Sequence, residues 1–335
     1  MKLRILTETD VRALLSMREA IDIQAEAFAV LAAGASIEGL RSFALSKEPP
    51  GIAIFNPSFL KSGKGYGIKV VSDFYDNEKK KVPRMTALIA LFDGATGAPK
   101  TVMEGAHLTD LRTGAGTGLA ARYLARKDSR VMAVIGAGRV ARNQVEALCQ
   151  EHAIERIVLA TRTPARAEDF VKKMAAVGAP VPRDIRVVAS RADAVKDADI
   201  VVAATTSHEP VFDGRDLKPG TFVVAAGAYE ATAREVDSET IRRAAKRVID
   251  SKADCLADAG DLQIPIAEGI LSEADIAGIA ELVAGTAKGR ERADEITYYK
   301  STGVPIQDLI TAQAVERRAL ARNVGTVIEI GGDHD

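Results

Sequence analysis

The chain is poor in the residues that build metal centres, with two cysteines and four histidines among 335 residues. Cys149 and Cys255 are far apart, form no CxxC pair and sit in apolar helical or strand-end stretches, so buried reduced thiols are expected. His107, His152, His208 and His334 show no ligand spacing. There is no GxSxG turn and no P-loop, which sets aside two common catalytic classes. Net charge is equally scarce. Lys plus Arg number 45 against 46 Asp plus Glu, so no overall field favours nucleic acid or an anionic membrane. Any anion must be held by locally placed cations. No apolar run approaches the roughly 20 residues of a membrane span, and the charged, amphipathic start MKLRILTETDVRALL lacks a signal-peptide core. A soluble cytoplasmic protein with a small-molecule partner, and neither nucleic acid nor membrane, is expected.

What the chain has is apolar sequence, 47% of it, at a length that suits two domains. From residue 130 onward, short β-branched runs alternate with helical stretches. RVMAVI (130–135), RIVLAT (156–161), IRVVA (185–189), DIVVAA (199–204), TFVVAA (221–226) and RVIDS (247–251) supply six strand candidates. Continuous apolar runs separated by helices predict a doubly wound parallel sheet of the Rossmann type, an α/β fold covered on both faces. The first hundred residues differ. Helical signals at 8–33, with a cap between Thr7 and Asp10, precede strand-like segments joined by the DGATG turn (93–97), an α+β texture. The final amphipathic helix, PIQDLITAQAVERRALARN, is expected to return to this first part and make it discontinuous. The predicted boundaries are 1–120 with 305–335 for one domain and 121–304 for the other.

The strand RVMAVI runs directly into Gly136-Ala137-Gly138-Arg139-Val140-Ala141 and then a helix. Gly136 permits a tight turn, Gly138 lets the backbone approach a pyrophosphate, and Ala141 keeps helix and strand close. The free N–H groups and positive dipole end of the helix suit phosphates. A dinucleotide site is predicted. An NAD site ordinarily carries an acid at the end of the second strand. This chain instead reads Thr161-Arg162-Thr163, which suits a ribose 2′-phosphate, so NADP(H) is favoured and NAD(H) is the alternative. Arg162 is also compatible with a plain solvated loop residue.

In such a sheet, ligands lie beyond the carboxyl ends of the strands, which nominates Thr205 and Thr206 after the fourth strand and the 225–230 segment after the fifth. Three cations in the other part stand on apolar stretches: Arg41 in LRSFAL, Lys69 in GIKVVS and Arg112 in LTDLRTGAGTG, the last expected in the first turn of a helix. Burying such a cation is costly unless it meets an anion, although each is also compatible with a surface or ion-paired role. His107, on the approach to Arg112, is either structural or part of a site lining. Glu48 is the one acid in the 41–60 segment suited to a distal amine. Asp254, Asp258 and Asp261 read as solvated or helix-capping rather than metal-binding.

The segment LTDLRTGAGTGLAARYLA (108–125), the GAGRVA loop, GDLQIPIAEGIL (260–271) and YYKSTGVPIQDLITAQAV (298–315) together resemble the ornithine cyclodeaminase and μ-crystallin family over essentially the full length. The resemblance implies a dimerising α+β substrate domain beside a Rossmann domain, and action on α-amino or α-imino acids. It implies that Arg41, Lys69 and Arg112 hold the substrate carboxylate. It further implies that Thr113 and Gly136–Val140, Arg139 included, contact cofactor phosphates, and that Lys300 and Ser301 belong to a loop near the nicotinamide. Cyclodeaminases carry an aspartate where this chain has Tyr229, with Glu230 next to it. That departure points to the NADPH-dependent ketimine reductase branch. The expected chemistry is reduction of a C=N bond beside a carboxylate, with the proton coming from Lys69 or Tyr229, or the reverse amino-acid dehydrogenation. Ornithine cyclodeamination and a non-catalytic binding role are the alternatives. A second departure, Gly114-Ala115-Gly116 in place of alanines, is expected to loosen the helix start.

Overall fold

The computed structural model describes residues 1–61 and 63–331. The chain opens with β1 (Lys2–Leu6), α1 (Glu8–Leu14) and α2 (Met17–Ala32). Both helices begin with reciprocal capping boxes, Thr7 with Asp10 and Ser16 with Glu19, which satisfy N–H groups a helix start leaves open. Then come β2 (Ser36–Glu38), β3 (Ser42–Lys47), β4 (Pro50–Leu60), β5 (Tyr66–Phe74), β6 (Met85–Phe92), β7 (Pro99–Glu104) and α3 (Ala106–Leu124). Alternation follows: β8 (Val131–Ile135), α4 (Arg139–Glu151), β9 (Arg156–Ala160), α5 (Pro164–Val177), β10 (Asp184–Val188), α6 (Arg191–Val195), β11 (Ile200–Ala203) and β12 (Phe222–Ala225). The next stretch holds α7 (Ser238–Arg243), β13 (Ala244–Ile249), α8 (Lys252–Asp258), α9 (Gly260–Ala267), β14 (Ile276–Gly278), α10 (Ile279–Val283) and β15 (Ile296–Lys300). The chain closes with α11 (Pro305–Arg322) and β16 (Thr326–Glu329).

Two compact units result: Met1–Arg112 with Pro305–Asp335, and Thr113–Val304. In the first, eight strands are ordered β16-β1-β7-β6-β5-β4-β2, with β3 paired to β4. All pairings are antiparallel except β1 with β7. The helix α11 lies over β4, β5 and β6 and packs against α2. The segment 41–60 is a hairpin, and Glu48 sits exposed at its turn.

In the second unit every strand pairing is parallel, in the order β10-β9-β8-β11-β12-β15-β13-β14. This is the doubly wound sheet expected, and all six strand candidates form strands of it, β8 to β13. The sheet has two strands more, β14 at one edge and β15 between β12 and β13. Its core gathers Ile135, Val201, Val223, Ile249 and Tyr298, all buried. Both cysteines are buried and unbridged.

Candidate active site

In the first unit, β5 alternates inward and outward side chains, and Lys69 falls on its buried face, 5% exposed. Asp308, in the first turn of α11, meets it: Lys69 Nζ donates to Asp308 Oδ2 at 2.6 Å. The other oxygen, Oδ1, accepts from Arg112 Nε at 2.9 Å. Arg112 is the seventh residue of a helix that begins at Ala106, not a first-turn residue as expected, and Gly114-Ala115-Gly116 therefore lie mid-helix. The helix start is instead capped by the Glu104 carboxylate, which accepts from the N–H groups of Ala106 and His107. Arg112 Nη1 also donates to Gln307 Oε1 at 3.2 Å, and Gln307 Nε2 donates to Gln24 Oε1.

Arg41 is half-buried between β2 and β3, and its Nε donates to Asn56 Oδ1 at 3.2 Å. Asn56 is the cross-strand partner of Lys69, so all three cations gather around one patch of β4 and β5. The apolar background of Arg41 is not a core, because Leu40, Phe43 and Leu45 are exposed. Lys69 and Arg112 share the one Asp308 carboxylate, which leaves that buried trio net positive. Burial depresses the Lys69 pKa to about 8, and Arg112 and Arg41 add to that effect while Asp308 opposes it. Burial works against ionising Asp308 too, yet the charges of Arg112 and Lys69 hold its pKa below the usual carboxylate range. Asp308 lies within the QD signature but was not singled out from sequence. His107 is half-buried and shifted down to about 4 by burial and by Arg12, so it is neutral near pH 7.

In the second unit, the β8–α4 turn has the form its glycines suggest. Gly136 adopts φ +104°, and a Cβ there would lie 2.3 Å from the Ala204 carbonyl oxygen. Gly138 is the N-cap of α4, no side chain caps that helix, and a Cβ on Gly138 would meet nothing within 4 Å. The protein itself imposes no need for glycine at 138, whereas a phosphate lying against the backbone does. These residues thus fit a dinucleotide. Thr161 directly follows β9, and Arg162 and Thr163 are exposed. Thr163 is the N-cap of α5, but its side chain makes no capping bond. Among the described residues Arg162 has no carboxylate partner.

Thr205 donates both its N–H and its hydroxyl to Glu235, while Thr206 is exposed. Ser301 donates to Asp250 at 2.7 Å, which also accepts the N–H groups of Thr302 and Gly303. Lys300 is not in a loop: it ends β15, fully buried, and pairs with Asp261 at 2.6 Å. Asp261 is accordingly neither solvated nor a simple helix cap. Tyr229 and Glu230 are both exposed, and Thr113 is half-buried on α3. His334 lies outside the described residues. No described helix is long and apolar enough to cross a membrane.

The fold has known counterparts. A Δ1-pyrroline-2-carboxylate reductase from Thermococcus litoralis, solved with NADH and L-proline, matches with a TM-score of 0.90 and 40% identity, over 96% of this chain and 99% of that one. An archaeal alanine dehydrogenase dimer with bound NAD matches with a TM-score of 0.90 and 32% identity, over 99% and 100%. The Bacillus cereus (strain ATCC 10987 / NRS 248) Δ1-pyrroline-2-carboxylate reductase is 32% identical over 326 residues, 97% of this chain and 99% of that protein. Residues 1–323 match the ornithine cyclodeaminase/mu-crystallin family, and the chain belongs to it.

Proposed function

We propose that the protein is a nicotinamide-dependent oxidoreductase that reduces the C=N bond of an α-imino acid to the α-amino acid, and catalyses the reverse dehydrogenation. One observation carries the reading: a buried, net positive cluster of Lys69 and Arg112 around Asp308, with Arg41 beside it. Buried cations in excess of their anions call for a further anion, and a guanidinium grips a carboxylate through parallel hydrogen bonds. Arg112 and Arg41 would hold the substrate carboxylate, and Asp308 would keep Lys69 in place and protonated. With a pKa of about 8, Lys69 can hold and give up a proton near neutrality, which suits the nitrogen of an imine. Tyr229 is exposed.

The dinucleotide would be held by the Gly136–Val140 turn, with Thr113 and Thr206 as further contacts, and when bound it supplies or accepts the hydride. The solved reductase and dehydrogenase relatives hold NADH and NAD. In this chain the exposed Arg162, together with Thr161 and Thr163, favours a 2′-phosphate and hence NADP(H). The reductase relatives support a cyclic imino acid as the substrate class. We also propose a homodimer, since one relative is a dimer and Ile37, Leu40, Phe43 and Leu45 expose apolar side chains along β2 and β3. The reaction is tested by following NADPH and NADH oxidation with cyclic imino acids. Equal use of the two dinucleotides, or an unchanged preference in Arg162→Asp, would remove the role given to Arg162.

A further inference from the structure

Glu235 is completely buried, yet it lies on no regular element and serves none of the roles above. Its carboxylate collects four donors from two separate loops. Oε1 accepts the N–H and hydroxyl of Thr205, at 2.5 and 2.8 Å, from the loop after β11. Oε2 accepts the N–H groups of Gly227 and Ala228, at 2.6 and 3.0 Å, from the loop after β12. All four partners donate, so the site fits an ionised carboxylate and nothing isosteric with it: an amide would turn its own N–H groups towards two of those donors.

The charge is supported through a closed ring. The Glu235 and Val236 N–H groups donate to Asp261 Oδ1, at 2.7 and 3.0 Å. Asp261 Oδ2 accepts from Lys300 Nζ, which also donates to the Ala228 carbonyl, both at 2.6 Å. Ala228 then returns to Glu235 through its own N–H. Burial lifts the Glu235 pKa and the Asp261 charge adds to the rise, while the nearby Lys300 charge and the Thr205 hydrogen bonds oppose it.

The two loops are also in direct contact. A Cβ on Gly227 would lie 2.2 Å from the Thr205 carbonyl oxygen and 2.3 Å from its nitrogen. A Cβ on Gly136 would meet Ala204 oxygen at 2.3 Å and Thr205 Cγ2 at 3.1 Å. The turns after β8, β11 and β12 are therefore stacked, and Glu235 is the acceptor common to the last two. In a doubly wound sheet the pyrophosphate lies at the turn after the first strand, and the ribose next to the adenine lies at the end of the second. Here β9 lies on one side of β8, and β11 and β12 lie on the other. The far half of the dinucleotide, including the nicotinamide, thus falls to the loops that Glu235 ties together.

We propose that Glu235 is a positioning residue for the nicotinamide half of the cofactor site, its carboxylate locking the loops after β11 and β12 in register and the Asp261–Lys300 pair bracing it from behind. The assignment rests on the dinucleotide reading of the Gly136 turn. Glu235→Gln preserves shape but sets amide N–H groups against backbone N–H donors, which cannot accept them. Its kcat at saturating NADPH should fall roughly ten- to hundredfold, with weaker dinucleotide binding by fluorescence titration. The KM for the imino acid should stay within about threefold, because the carboxylate-holding cations belong to the other unit. Glu235→Asp, which keeps the charge, should recover part of the loss.

Thr205→Val removes one donor without disturbing a core and should lower kcat several-fold by itself. It should have no further effect in the Glu235→Gln background, since both act through one contact. A folded Glu235→Gln protein with wild-type kcat and dinucleotide affinity overturns the proposal, whatever its melting temperature. If that variant does not fold, wild-type kinetics in Thr205→Val overturn it equally. If the wild-type protein binds NADPH but reduces no imino acid, the proposed reaction fails. The comparison of dinucleotide affinities still decides the role of Glu235.

Discussion

Lys69 lies among groups that pull on its proton in opposite directions. Burial and two neighbouring guanidinium groups favour the neutral amine, and the Asp308 carboxylate favours the ammonium, with a pKa of about 8 as the result. Asp308 raises that pKa through its charge and its hydrogen bond, so in Asp308→Asn the Lys69 pKa must fall. If protonated Lys69 is the active form, the alkaline limb of the kcat/KM profile moves to lower pH. A limb at the wild-type position in a folded Asp308→Asn enzyme contradicts the role given to Lys69. Arg112→Ala should lower kcat/KM at least ~100-fold while sparing dinucleotide binding, because it strips a charged grip from the carboxylate. An active variant would remove the clamp. These cations were visible in the sequence because each stands in an apolar stretch, where an unpaired charge is expensive. Their partner was not. Asp308 is 239 residues from Lys69 and reads locally as a polar residue near a helix start. The Glu235 ring was equally hidden, since its members come from four separated segments. Ser301 and Lys300 stand out in the sequence only through the family resemblance, which does not reveal their contacts to Asp250 and Asp261.

At the level of elements, the β8–α4 turn separates two uses of glycine. Gly136→Ala combines a positive φ with a close approach to a carbonyl, so it should destabilise the fold by about 1–3 kcal/mol as well as impair dinucleotide binding. Gly138→Ala meets no protein atom and should leave the melting temperature within about 1 °C of wild type, since substitutions in open space cost little. Dinucleotide affinity in Gly138→Ala should nevertheless fall about tenfold or more, as expected where backbone approaches a phosphate. Unchanged affinity in a fluorescence titration contradicts the phosphate assignment. The strands β8, β9, β11 and β12 were legible because each is an apolar run bounded by turns. The place of β15 was not. Its neighbours, β12 and β13, precede it in sequence without being consecutive in the sheet, and nothing local to ITYYK specifies insertion between them. The short β14 and β16, of three and four residues, offer too little periodicity to register. The first helical stretch reads as one from its apolar pattern, yet it breaks before the Ser16 capping box into α1 and α2.

For the molecule as a whole, the proposed dimer makes a direct prediction. Sedimentation velocity should give twice the chain mass of 35.5 kDa, and Leu45→Glu on the exposed face of β3 should shift the population towards monomer. A monomeric wild type contradicts the proposal. Fold class was the most legible property, because periodicity and the ordered motifs agree across the full length. Cofactor preference was less so, since it turns on Arg162 in one exposed segment. The reaction itself is reached most directly by spectrophotometry. A five-membered cyclic imino acid should consume NADPH, preferred over NADH, in equal amounts with the amino acid formed. If that substrate leaves both dinucleotides unoxidised, while ornithine yields proline and ammonia with only catalytic NAD, imine reduction is contradicted.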